Sequence, residues 1–232
     1  MLFRSAVTFD GNGGTPSEDS KAIQPGAQVG TLPTATRDGY TFNNWWTAKT
    51  GGTQISSTEV ITDDRIFYAH WTANTYSVEF ASTTACPLDT NTYAKINNQT
   101  FDSSVINKVN PTCTGYTFDG WTLTNGNTST AKTGNTNNPT TDWVNKNKAT
   151  YFKNLATTNN STATMTANWK ANEYTISFNS NKPSKSTANP TGSMNNQTYT
   201  YDTTTNLTSN GYSITGWTFT GWNTKADRKS VV

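Results

Sequence analysis

Charge is scarce in this sequence. Lys, Arg, Asp and Glu make up 14% of 232 residues and balance to a net +2. The few cations are scattered and form no basic stripe able to follow a phosphate backbone, so nucleic acid is not an implied partner. There is no run of about 20 apolar residues, so nothing in this piece spans a membrane. Met1 to Ser5 lead straight into strand-forming sequence with no apolar signal core, so either export information lies outside this piece or the piece is a fragment. Histidine occurs once, as His70, and cysteine twice, as Cys86 and Cys113. That donor set is too small for a metal site, and no cofactor is implied.

What is abundant is neutral and polar. Thr and Asn together form about a third of the chain, and the branched, stiff Thr side chain favours pleated strands over helices. Aromatic residues reach 12% and stand at recurring positions, which argues against a disordered chain, since disordered segments are depleted in them.

Those positions define repeats. Gly115-Tyr116-Thr117-Phe118-Asp119-Gly120-Trp121 recurs as Gly39-Tyr40-Thr41-Phe42-Asn43-Asn44-Trp45 and as Gly216-Trp217-Thr218-Phe219-Thr220-Gly221-Trp222. In a regular strand Phe118 and Trp121, an odd number of residues apart, point to opposite faces. A one-residue bulge at Gly120 brings both to one face, because glycine adopts positive φ without steric cost. The copy without this glycine carries Asn44, a residue that also tolerates positive φ. The motif therefore predicts a bulged strand with both aromatics in a core.

Three modules follow in order: residues 1–73, 74–171 and 172–232. Each opens with an alternating strand, at Val7-Thr8-Phe9, Tyr76 to Phe80 and Tyr174 to Phe178. Asp10-Gly11-Asn12-Gly13-Gly14 reads as a turn, lacking both the Gly-Lys-Ser/Thr ending of a phosphate loop and the spaced carboxylates of a calcium loop. A second strand is expected near Lys21 to Gln24, with equivalents at Gln99-Thr100-Phe101 and Gln197-Thr198-Tyr199, the last two inside matching Asn-Asn-Gln-Thr strings. Pro25-Gly26 and Leu32-Pro33 leave room only for a short helix. The bulged strand comes third. The closing strand is Phe67 to Trp71 in module 1 and Met165 to Trp169 in module 2, each followed within three residues by Ala-Asn and the next opening strand. Linkers this short predict a semi-rigid array. Module 2 carries an Asn/Thr-rich insert, 124–142, expected as a surface loop with nothing to bury. Module 3 stops before a closing strand, so it reads as C-terminally truncated and the chain as part of a longer multidomain one.

Val7-Thr8-Phe9-Asp10 with its glycines, Gly39-Tyr40-Thr41-Phe42 with Trp45, Gly51-Gly52-Thr53 and Tyr68-Ala69-His70-Trp71 closely resemble the Listeria-Bacteroides repeat, also called the internalin B B-repeat. The resemblance spans nearly all of module 1, both ends of module 2, and 198–227 of module 3. It implies mainly β architecture: small α+β, β-grasp-like modules, each a short mixed sheet with little helix, in tandem. It also implies an extracellular place, on a bacterial cell surface or in the cell envelope, and a stalk, adhesion or interaction role without catalysis.

Candidate residues were sorted by repeat slot. Phe9, Phe42, Trp45, Trp71, Phe80, Phe118, Trp121, Trp169, Phe178, Phe219 and Trp222 occupy recurring slots and are expected in cores. Trp46 and Trp143 have no counterparts. Trp46 is expected to face away from the core and pack against the adjacent module or a loop, and Trp143 to tuck the insert onto its module, or else the two contact a ligand. An exposed Trp46 and the insert are the basis of the alternative reading as a carbohydrate- or protein-binding module, with a host or cell-wall glycan or protein as partner. His70 stands where module 2 has Asn168, as a surface residue rather than a base. Cys86 and Cys113 lie near strand ends. A disulfide between them would contribute about 3 to 4 kcal/mol on the chain-entropy estimate, and two free thiols are the alternative.

Overall fold

The computed structural model describes residues 4–134 and 151–225. In the first repeat, β1 (Ser5–Asp10), β2 (Ser20–Ile23), β3 (Tyr40–Trp46) and β4 (Arg65–Ala73) form a mixed sheet in the order β2-β1-β4-β3. β1 and β4 run parallel, and the outer pairs are antiparallel. Alternation decides what is buried: Val7 and Phe9 of β1 and Phe67 and Ala69 of β4 face one core, joined by Val29, Ile55 and Ile61 from the connections. Between β2 and β3 there is no helix. Two-residue ribbons there pair Thr15–Pro16 with Ala35–Thr36 and Ala27–Gln28 with Val60–Ile61.

β3 is bulged. Phe42 pairs with Trp71 and Asn44 with His70, so Asn43 is the extra residue. Asn44 has φ 121°, and the corresponding Gly120 and Gly221 have φ 92° and 145°. The slip puts Phe42 and Trp45 on the same side, with ring centroids 5.4 Å apart. Trp45 is fully buried and its indole N–H donates to the Pro33 carbonyl at 2.7 Å. Phe9 meets the same indole edge to face at 4.9 Å. Such pairs add about 0.5 to 1.5 kcal/mol beyond the area they bury.

The second repeat builds the same sheet and enlarges it. β5 (Thr75–Ala81), β6 (Ile96–Thr100), β7 (Ile106–Asn107), β8 (Tyr116–Thr124), β9 (Lys132–Gly134), β10 (Tyr151–Lys153) and β11 (Ser161–Ala171) follow in order. The main sheet is β6-β5-β11-β8, with β5 parallel to β11, and a second sheet is β7-β10-β9. Phe80 and Phe118 meet Trp121 at 5.7 and 5.4 Å, as Phe9 and Phe42 meet Trp45.

Two expectations need correction here. The insert is not wholly a surface loop: Asn127 folds a turn whose backbone accepts from Ala131 at 3.0 Å, Ala131 is fully buried beside Phe152 and Leu155, and β9 pairs with β10. One small apolar residue is enough to pin so polar a segment. Residues 135–142 of it lie outside the described residues. The Asn-Asn-Gln-Thr strings are also not equivalent. Gln99 pairs with Tyr76 whereas Tyr199 pairs with Tyr174, so the true offset differs by two residues. The short match arose by chance in Asn- and Thr-rich sequence, and a bulge between Ile96 and Gln99 displaces it further.

Cys86 and Cys113 are joined by a disulfide across 27 residues. Loop closure of that length removes about 3.5 kcal/mol of unfolded-state freedom in the chain-entropy model. The bond ties down a segment whose Tyr93 packs on Phe80 and Trp121, each 5.7 Å away.

In the third repeat β12 (Glu173–Ile176) pairs with β13 (Gln197–Thr200), and Thr191–Gly192 pairs with Tyr212–Ser213. No closing strand is found among its described residues, and Phe219 through Trp222 form no strand. Phe219, expected in a core, is 48% exposed, as is Trp217. An aromatic strand sequence stays unpaired when its neighbour on the core side is lacking. By compactness the chain divides into two units, Met1–Cys113 with Phe118–Trp169, and Thr114–Thr117 with Lys170–Val232.

The bulge generates a stability prediction. Gly120→Ala forces a Cβ into positive φ and lowers unfolding free energy by about 1 to 2 kcal/mol, whereas Asn44→Gly changes it little, both read from denaturant unfolding. Equal effects of the two would remove the bulge as the reason for these residues.

Candidate functional site

A single residue separates the closing strand of one repeat from the opening strand of the next: Asn74 between β4 and β5, and Asn172 between β11 and β12. Asn74 is buried, and all four of its polar groups are used. Its backbone N–H donates to Gly39 O at 2.8 Å and its carbonyl accepts from Phe101 N at 2.9 Å. Its side-chain oxygen accepts from Thr41 Oγ1 at 2.6 Å, and its side-chain nitrogen donates to Thr157 O at 2.7 Å. Only an amide of this length serves as donor and acceptor at once; Asp would lose the donor and leave a buried charge.

Around Asn74 the chain closes a joint. Gly39 is buried at φ +76°, and a Cβ there would lie 2.4 Å from the Phe101 ring. Phe101 instead lies flush on the glycine and meets Tyr40 edge to face at 5.7 Å. The Tyr40 hydroxyl donates to Asp102 at 2.9 Å. The other Asp102 oxygen accepts from Asn154 Nδ2 at 2.8 Å, while Asn154 Oδ1 accepts from the Asp102 backbone N–H at 2.8 Å. Desolvation pushes the Asp102 carboxyl up, but hydrogen bonds from Asn154 and Tyr40 and the charges of Lys153 and Lys132 outweigh it, and the net shift is downward. Tyr40 is raised, by desolvation first and then by its bond to Asp102.

The second unit repeats part of this constellation around Asn172, which is itself exposed. Asn172 N donates to Gly115 O at 2.9 Å, Tyr201 N to Asn172 O at 2.8 Å, and Thr117 Oγ1 to Asn172 Oδ1 at 2.6 Å. Gly115 has φ +78°, and a Cβ there would lie 2.2 Å from Tyr201. Tyr116 meets Tyr201 at 5.5 Å and its hydroxyl donates to Asp202 at 3.2 Å. The first repeat differs at the matching turn. Its register, Ser5 with Ile23, places Pro25 and Gly26 where the others have an aromatic and an aspartate, and a Cβ on Gly26 would meet nothing within 4 Å.

Beside the first joint lies a polar cleft of about 560 Å³, lined by Thr36, Arg37, Asp38, Asp102, Lys132 and Asn154 among others. The Arg37 guanidinium stacks 3.8 Å above the Tyr40 ring.

The residues singled out by sequence fall elsewhere. Trp46 is half-buried rather than exposed: its ring lies on His70 at 4.6 Å with 6° between planes, and its strand bridges to Gln54. His70 Nε2 donates to Ala48 O at 2.9 Å, leaving it a packing role. In module 2 the same two slots hold Thr122 and Asn168, joined by a 2.9 Å hydrogen bond. Trp143 lies outside the described residues. Phe101, Asp102, Asn154, Tyr201 and Asp202 were not singled out. The available signal was the aromatic-Asp pair itself, at 101–102 and 201–202.

Fold and joint define a tandem array of small mixed-β modules linked through single asparagines. The chain belongs to the Listeria-Bacteroides repeat family, whose model matches residues 6–70, 76–145 and 174–232. It is thus a repeat-containing bacterial protein of a family not known for enzymes, whose repeats occur generally in surface and extracellular proteins. No curated protein and no solved structure matches it.

Two predictions follow from the joint. Gly39→Ala, clashing with Phe101 as well as straining φ, lowers unfolding free energy by about 2 to 4 kcal/mol, measured by denaturant unfolding. Asp102, depressed in the fold, contributes stability that is complete above the ordinary carboxylate pKa and is lost as pH falls through its folded value. Melting temperature should therefore drop more steeply between about pH 5 and pH 3 in the wild type than in Asp102→Asn; parallel profiles would refute the assignment.

Proposed function

We propose that the chain is a non-catalytic spacer and adhesion array on a bacterial surface, its first two modules held in register by the joint at Asn74. The observation that carries this reading is the recurrence of one joint, down to the Thr-Asn, Tyr-Asp and Gly-aromatic contacts, in both units. A freely jointed string of domains has no use for a linker residue buried and fully bonded as Asn74 is, whereas a stalk that presents something at a distance does. The engagement of His70 by Trp46 and Ala48 supports the absence of catalysis. Family membership supports the surface location.

The alternative, a glycan- or protein-binding module centred on Trp46, is less favoured, because one face of that ring is covered by His70. That leaves at most the opposite face of the half-buried indole as a platform for a sugar.

The test is a distance distribution between spin labels on Thr50→Cys and Thr90→Cys, both exposed positions on either side of the first joint. The expected outcome is one narrow distribution that broadens in Gly39→Ala. A wild-type distribution as broad as that of the variant would mean that the joint does not set the register of the two modules.

A further inference from the structure

The cleft of about 560 Å³ beside the first joint takes its walls from two repeats. The first repeat supplies Thr15, Thr36, Arg37 and Asp38, and the second supplies the Asp102 turn together with Ser129 and Lys132 of its insert. Arg37 is already placed for a ligand. Its guanidinium lies 3.8 Å above the Tyr40 ring, and Nη1 donates to the Asn12 carbonyl at 3.5 Å, which leaves the rest of the donor fork open. Gly13 makes room for it, since a Cβ there would come 3.2 Å from Nη1. Among the described residues no carboxylate lies within 4 Å of the charged nitrogens of Arg37 or Lys132. The Asp38 carboxylate and the hydroxyls of Thr15, Thr36 and Ser129 likewise make no hydrogen bond among the described residues. The two Asp102 oxygens take the Tyr40 hydroxyl and Asn154 Nδ2, one each, and keep a lone pair apiece.

We propose that this cleft is a binding site for a short segment of a neutral glycan. Its volume falls in the ordinary range of small-ligand sites, about 300 to 1,000 Å³. The lining decides the class of ligand. Arg37 and Lys132 oppose a cationic partner, Asp38 and Asp102 oppose a polyanion, and walls so polar give an apolar molecule nothing to pack on. A sugar hydroxyl suits every one of these groups, because it donates to a carboxylate and accepts from a guanidinium or ammonium at once. The second joint does not repeat the site: Cys113, bonded to Cys86, stands in the slot that Arg37 holds before the motif glycine. The inference rests on the joint of the spacer reading, since neither repeat carries both walls, and it gives the adhesive part of that reading a place away from Trp46.

The probes are maltotriose and N,N′,N″-triacetylchitotriose, titrated into the isotope-labelled full chain and followed through its amide chemical shifts. At least one of them should shift residues 13–15, 36–40 and 129–132 saturably, with a Kd of about 1 mM. Asp38→Asn and Lys132→Gln, on opposite walls and outside the joint's hydrogen bonds, should each weaken that binding about tenfold with the melting temperature unchanged. The proposal is overturned if neither sugar gives a saturable shift at those residues by about 10 mM, if both variants bind as the wild type does, or if the zwitterion Gly-Gly saturates the cleft where both sugars fail, which would make it a peptide site. The spin-label distance across the joint separates the two readings. Failure of the sugars beside a narrow wild-type distribution removes the glycan site alone, and beside a broad one removes the joint as well.

Discussion

The parallel ladder between opening and closing strands is the contact on which the rest depends. Where β1 meets β4 and β5 meets β11, four strands form one sheet and the bulged strand is ordered against it. The indoles of Trp45 and Trp121 are then wholly withdrawn from water. In the third repeat, without that ladder among the described residues, the motif Gly216 to Trp222 keeps the glycine, Phe and Trp slots and positive φ at Gly216 and Gly221 but forms no regular strand, with Trp217 and Phe219 about half exposed. Propensity proposes the strand, and a neighbour decides it.

Much of this was readable in the sequence because it is local. Parity between Phe118 and Trp121, with Gly120 between them, requires a bulge whatever the rest of the chain does, and Asn44 in the glycine slot obeys the same steric rule. Alternation identified the buried faces of the opening and closing strands. The joint was much harder to read because its contacts connect residues far apart: Tyr40 with Asp102, Asn74 with Thr157, Asp102 with Asn154. The Ala-Asn spacing was visible, but that the asparagine uses all four of its polar groups depends on partners no periodicity specifies. The insert misled for the opposite reason, since composition averages over a segment, whereas within its described part Ala131 is buried and a short strand pairs. For Trp46 strand parity says which side the residue faces, and not that His70 would be the residue covering it there.

Comparison of the repeats also separates what is fixed from what is exchanged. The core trio around each bulge tryptophan and the Thr-Asn bond of each joint recur with nearly the same geometry. On the outer face a stacked Trp46-His70 pair is replaced as a unit by the hydrogen-bonded Thr122-Asn168 pair. Cross-strand neighbours contribute through each other, so a change in one is tolerated when its partner changes with it. Just before the motif glycine, Arg37 braces the first joint by stacking on Tyr40, whereas Cys113 holds the corresponding place in the second repeat with a covalent bond.

Pro25 and Gly26, standing where the later repeats carry Phe101-Asp102 and Tyr201-Asp202, make the modules non-interchangeable. A module with the aromatic-Asp turn can follow another; one with Pro-Gly offers nothing to fill the hollow over a preceding glycine. The order of these three repeats is therefore written into their turns, because the packing of an aromatic over the preceding glycine is a property of the pair and is lost when either member is exchanged for a repeat with Pro-Gly.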